Sequence, residues 1–182
     1  MKRLCVFCGS RTGTAPIFAD ETRRLGVSMA KRGLGLVFGA GHVGLMGVLA
    51  DAVREHGGET IGVIPQALVE RELAHQSLTD LRVVESMHDR KALMAGLSDA
   101  FLALPGGYGT LDELFEILTW AQLKFHQKPI GLLNVAGFFD PLLAWIERAI
   151  ADDFVKEKNR ALLIVDEDVD QMLDRLFPPL AV

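Results

Sequence analysis

Seven short apolar runs punctuate the chain, at 3–8, 35–38, 60–64, 81–84, 100–104, 130–134 and 161–165. This alternation constrains the fold more than any other feature. The intervening segments 16–31, 45–56, 87–97, 111–124, 138–151 and 168–177 carry helical spacing, whereas 66–79 is polar and mixed, a loop with a short helix. Strands this short and apolar on both faces belong to a parallel sheet covered by helices on both sides. Right-handed crossovers then give an α/β, doubly wound Rossmann-like fold of about seven strands, in one domain over residues 1–182. Ligands of such sheets bind beyond the carboxyl ends of the strands, near the point where strand order reverses. The turns after the first, second and fifth runs lie on that edge, as do the starts of the helices at 87 and 111.

Composition excludes several functions. The net charge is −5 and no basic block occurs, which argues against a nucleic-acid polymer as partner. No apolar run reaches the length of a membrane span. The first residues, MKRLCVFCGS, turn directly into fold without a small-residue cleavage site, so the expected location is cytoplasmic. Cys5 and Cys8 form a C-x-x-C, but inside a strand they point to opposite faces with Cα atoms roughly 10 Å apart. A disulfide needs them within about 7 Å, so they read as buried strand cysteines. No other cysteine and no clustered histidine supplies a metal tetrad, so no metal is expected.

The stretch 99–116, DAFLALPGGYGTLDELFE, joins a strand, a glycine turn and a helix start. The first amides of a helix lack intrahelical acceptors and sit at the positive end of its dipole, which makes an anion site. Gly106, Gly107 and Gly109 allow bare backbone to approach a ligand and to take φ > 0 where needed. Glu113 stands three residues past Thr110, and two readings fit it equally. It is the far half of a capping box with Thr110 as N-cap, or a functional carboxylate at the rim of a phosphate-sized nest.

A second glycine turn, Gly39-x-Gly41-x-x-Gly44, matches the dinucleotide fingerprint literally. The acid that should close the next strand is missing, since that strand ends Val63-Ile64-Pro65. Leu45-Met46 stand where a P-loop needs Lys followed by Ser or Thr, which argues against phosphoryl transfer. A mononucleotide pocket lined by two glycine turns, with Gly41 and Gly44 against the ligand, is the favoured reading. Tight helix–strand packing is the alternative. At 86–91 Ser86 caps a helix whose first turn carries Arg90 and Lys91, cations that oppose the dipole unless a negative partner or solvent receives them. Met87 shares a face with Arg90. Ser10, in the turn after the first strand, is a further candidate ligand contact.

PGGYGTLDE at 105–113, with MHDRK at 87–91, resembles the Lonely Guy family, the cytokinin-activating phosphoribohydrolases, many of which carry an old lysine decarboxylase label. The resemblance implies that Arg90 and Glu113 match catalytic positions. It also implies that Glu72, Lys91, Gly106, Gly107, Tyr108, Gly109, Thr110, Leu111, Asp112 and Thr119 match substrate-binding positions. Its common turn Gly-Gly-Gly-x-x-Gly-Leu-Met-Gly is altered here at Ala40 and His42. The implied reaction splits a purine nucleoside 5′-monophosphate, AMP or an N6-substituted analogue, into base and ribose 5-phosphate without metal or organic cofactor. An ionised Glu113 would stabilise charge at the anomeric carbon, and Arg90, which cannot readily donate a proton, would bind substrate bidentately and orient it. A nucleotide sensor without turnover and an NAD(P)-dependent reductase using 39–44 remain rivals. The broad apolar surface of the helix at 111–124, together with the resemblance, leads to the expectation of a homodimer.

Overall fold

The computed structural model describes residues 1–69 and 74–178. The strands are β1 (Arg3–Phe7), β2 (Gly35–Phe38), β3 (Thr60–Pro65), β4 (Asp80–Val84), β5 (Ala100–Ala103), β6 (Ile130–Leu133) and β7 (Leu163–Asp166). The helices are α1 (Pro16–Lys31), α2 (Gly44–Glu55), α3 (Gln66–Val69), α4 (Met87–Leu97), α5 (Tyr108–Gln122), α6 (Asp140–Ala151) and α7 (Val169–Leu176). Every strand pairing is parallel, in the order β4-β3-β2-β1-β5-β6-β7. The chain therefore runs outward from β1 to β4, returns to β5 beside β1, and runs outward again. The switch crevice opens between β1 and β5.

Side-chain alternation along β1 divides the core into two layers. Leu4, Val6 and Cys8 pack with Leu25 and Met29 of α1, Leu45 and Leu49 of α2, and Met172 and Leu173 of α7. Cys5 and Phe7 face the other way, onto Met94 of α4 and Leu114 and Ile117 of α5. The two cysteines are thus buried, free and on opposite faces, as strand geometry requires. Close packing of α1 on α2 depends on Gly26, where a Cβ would lie 2.6 Å from Ala52 Cβ.

Element ends follow local chemistry. Pro16 opens α1 where its missing N–H costs nothing, and Gly33 at φ +66° lets the chain leave after Arg32. Ser86 Oγ accepts the Asp89 N–H at 3.1 Å and caps α4 as expected. The start of α5 differs from the sequence reading. The helix begins at Tyr108 with Gly107 as N-cap, so Thr110 is its third residue and not the cap. Glu113 lies a full turn deeper than a capping box allows, which removes the purely structural explanation of this carboxylate. None of Gly106, Gly107 and Gly109 has a positive φ, so this turn does not use the left-handed freedom that glycine allows.

Candidate active site

Loops converge on the switch crevice and hold one another in place. Gly9 N–H donates to Pro105 O at 3.0 Å, and Leu45 N–H donates to Gly9 O at 3.0 Å. The turns after β1 and β5 and the start of α2 are thereby tied together. Gly44, at φ +66°, completes the clamp, because a Cβ there would fall 2.2 Å from Ser10 C and 2.3 Å from Arg11 N. Gly106 is equally constrained, since its Cβ would meet Thr110 Oγ1 at 2.0 Å.

Beyond this clamp lies a cleft of about 330 Å³ lined by Cys8, Ser10, Gly39, Met46, Arg90, Glu113 and the first residues of α5, Gly107 to Thr110. The amides of Tyr108, Gly109 and Thr110 precede the first hydrogen bond of α5, from Leu111 N–H to Gly107 O at 3.2 Å. They form the helix N-terminus expected to hold an anion.

Arg90 is buried, and its guanidinium is fixed by the backbone. Nε donates to Val63 O at 3.0 Å and Nη2 to Gly39 O at 2.7 Å, at the carboxyl ends of β3 and β2. Its third nitrogen, Nη1, lies 3.7 Å from Met87 Sδ. The Nε–Nη2 edge is therefore already occupied, which corrects the expectation of a fully available bidentate fork. What remains for a ligand is the Nη1 side. Burial lowers the Arg90 pKa, while the charge of Glu113 acts in the opposite direction. Gly39 admits this side chain, for a Cβ there would lie 1.9 Å from Nη2.

Glu113 is half-buried and lines the cleft without an ion pair to Arg90. Among the described residues its carboxylate has no hydrogen-bond partner. Burial pushes its pKa up to about 7, although Arg90 pulls it down. A carboxyl held in this way, unpaired and poised at neutrality, is costly in stability and typical of sites that perform chemistry.

The other expected residues divide into groups. Ser10, Gly107, Tyr108, Gly109 and Thr110 line the cleft with Arg90 and Glu113, and Gly106 walls an adjoining hollow. Lys91 does not await a ligand: it pairs with Asp112 at 3.1 Å and Glu116 at 3.2 Å. Burial pulls its pKa down, but these hydrogen bonds outweigh that and raise it. Leu111, Asp112 and Thr119 line a groove on the outer side of α5 with Phe115 and Trp120, and Tyr108 borders both that groove and the cleft. Gly41 is buried and faces Met46, where a Cβ would lie 2.6 Å from Cε. Gly39, Gly41 and Gly44 thus give their space to the chain's own atoms, the packing alternative for this turn. Ala40 takes φ 60°, a conformation suited to glycine. Glu72 lies outside the described residues. Cys8 and Met46 were missed as cleft residues. Cys8 ends the apolar run that feeds the switch crevice, and that position was the available signal. Burial and the charge of Glu113 keep its thiol protonated.

Residues 46–176 match the family model described as "Possible lysine decarboxylase". No lysine lines the cleft among the described residues, so the arrangement offers no Schiff-base amine. The cytokinin riboside 5′-monophosphate phosphoribohydrolase LOG of Oryza sativa subsp. japonica is 48% identical over 163 residues, covering 90% of this chain and 67% of the relative. A phosphoribohydrolase of the same kind from Arabidopsis thaliana is 44% identical, covering 96% and 82%. Among solved structures, a Moco carrier protein from Chlamydomonas reinhardtii superposes with a TM-score of 0.72 at 22% identity, covering 98% and 99% of the two chains. A molybdenum cofactor binding protein from Rippkaea orientalis gives 0.72 at 20%, covering 96% and 95%. At those identities the two structures establish the shared fold alone. The family match over most of the chain and the identity to these relatives show that the chain belongs to the Lonely Guy family, the cytokinin riboside 5′-monophosphate phosphoribohydrolases.

Proposed function

We propose that the protein hydrolyses the N-glycosidic bond of adenine-type nucleoside 5′-monophosphates, including N6-substituted ones, to free base and ribose 5-phosphate. The observation that carries this reading is Glu113, a half-buried unpaired carboxyl with a pKa of about 7, set one turn into α5 beside an anion-binding helix start. The names borne by the relatives support the same substrate class.

In this mechanism the amides of Tyr108 to Thr110 hold the 5′-phosphate and fix the ribose over Glu113. As the C1′–N9 bond breaks, positive charge develops at C1′ and the ring oxygen, and ionised Glu113 stabilises it. The same carboxylate accepts a proton from the water that adds to C1′, while the base leaves with the bonding electron pair and takes up a proton. Arg90, locked on two strand-end carbonyls, orients substrate through Nη1 and favours the ionised form of Glu113 through its charge.

Incubation with AMP, followed by assay of adenine and ribose 5-phosphate, tests the reading. Equal release of both products is expected, with adenosine a far poorer substrate because phosphate binding energy fixes the reacting centre. Binding without release would favour a sensor, and equal activity on adenosine and AMP would remove the phosphate from the 105–110 turn. A reductase built on 39–44 has less support, because those glycines are filled by Arg90, Met46 and the Ser10–Arg11 backbone.

A homodimer accompanies this proposal. Positions that resemblance assigns to substrate lie both in the cleft and on the outer face of α5. A second copy bringing its outer α5 face to the cleft would unite them.

A further inference from the structure

Beside the Arg90–Glu113 cleft lies a second hollow of about 260 Å³, lined by Arg11, Thr12, Phe18, Leu45, Phe138 and the Pro105–Gly107 turn. Ser10 and Gly107 belong to both, so the two hollows meet at the start of α5. The cations around this junction differ in what they have left to offer. Arg90 donates to two backbone carbonyls, and Lys91 is paired with Asp112 and Glu116. Arg11 is exposed and, among the described residues, makes no hydrogen bond or ion pair. Its backbone nevertheless has a fixed position. Gly9 is bonded on both sides, to Pro105 and Leu45, and a Cβ on Gly9 would lie 2.9 Å from Arg11 O. Gly44 closes on Arg11 N from the other direction.

An uncommitted arginine on a held backbone, lining a hollow that adjoins a helix N-terminus, is a half-built site for a phosphoryl group. Backbone amides supply direction and a partial charge, but little net charge, and a phosphate monoester carries nearly two negative charges at pH 7. We propose that Arg11 is the side-chain cation that receives the 5′-phosphate of the substrate at this junction and sets the preference for nucleotide over nucleoside. The assignment rests on the nucleotide-hydrolase reading above. It gives Arg11 a specificity role separate from the chemistry at Glu113. Charge-assisted bonds from a guanidinium to phosphate are short, directional and lost on truncation, and lysine recovers the charge without the fork.

The test compares wild type, Arg11→Ala and Arg11→Lys, with AMP and adenosine as substrates and ribose 5-phosphate as a non-reacting ligand followed by calorimetry. The expected result for Arg11→Ala is a KM for AMP raised roughly tenfold to a hundredfold. Its ratio of kcat/KM for AMP over adenosine should fall by at least about tenfold, and the salt dependence of KM should flatten. Arg11→Lys should recover part of the loss. A purely structural role would lower the melting temperature and leave the AMP-to-adenosine ratio alone. If wild type turns over AMP and Arg11→Ala keeps both the KM and that ratio, this assignment fails while the hydrolase reading stands. Should wild type bind ribose 5-phosphate without turning over AMP, loss of that binding in Arg11→Ala upholds the phosphate site alone. A wild type that neither binds ribose 5-phosphate nor turns over AMP overturns both.

Discussion

Two side chains, Arg90 and Glu113, show opposite economies at the residue scale. Arg90 has much of its hydrogen-bonding capacity taken by carbonyls of the sheet, so it is positioned before any ligand arrives. Glu113 has none of its capacity taken among the described residues, and burial holds its pKa at about 7. If the ionised form is the active one, kcat/KM for AMP should rise with pH as one ionisation near 7 and level off above it. A pH–rate profile flat from 5.5 to 8.5 would contradict this. The same shift carries a stability consequence. A carboxyl whose folded pKa exceeds its usual 4.5 contributes full stability while protonated and loses it as pH climbs through about 7. Glu113→Gln removes that loss, and should melt higher than wild type at pH 8 by roughly 1–3 kcal/mol in unfolding free energy, converging toward it near pH 4.5. Thermal scans at the two pH values measure the difference.

At the scale of elements, the glycine turns carry distinct burdens, and substitutions should separate them. A methyl on Gly39 would occupy the Arg90 guanidinium itself, at 1.9 Å from Nη2, so Gly39→Ala should displace Arg90 and lower AMP turnover by about a hundredfold or more. Gly107 has open space around its Cβ position and φ −104°, so Gly107→Ala should leave the melting temperature within about 2 °C. Any loss of activity there would report on ligand approach alone. Steady-state kinetics and thermal melts of the pair check both outcomes. These differences explain what the sequence could and could not reveal. Strand and helix spans were legible because apolar runs and helical spacing are local: α1, β2 and α4 lie within the bounds that pattern reading sets. The start of α5 was not, because Thr110 and Glu113 fit the spacing of a capping box, while the actual cap, Gly107, has no side chain to announce it. The partners of Lys91 were hidden for a different reason, since Asp112 and Glu116 are brought to it only by packing of α5 beside α4.

For the whole molecule, the doubly wound topology gathers residues from β1, α4, α5 and the turn after β2 at the carboxyl ends of the strands, and the order of the strands reverses at the crevice between β1 and β5. The outer face of α5 stays uncovered: Tyr108 is 96% exposed, and Phe115 meets the largely exposed Trp145 edge-on at 5.8 Å. Light scattering should therefore give twice the 19.9 kDa chain mass, and a monomer mass across micromolar concentrations would rule the dimer out. The central claim, that Glu113 stabilises the transition state of N-glycosidic hydrolysis, is tested most directly by release of adenine from AMP under wild-type and Glu113→Gln protein at pH 8. The account predicts equimolar adenine and ribose 5-phosphate from wild type. The variant, folded and binding AMP with similar affinity, should be slower by two orders of magnitude or more. A Glu113→Gln protein that releases adenine at the wild-type rate would contradict it.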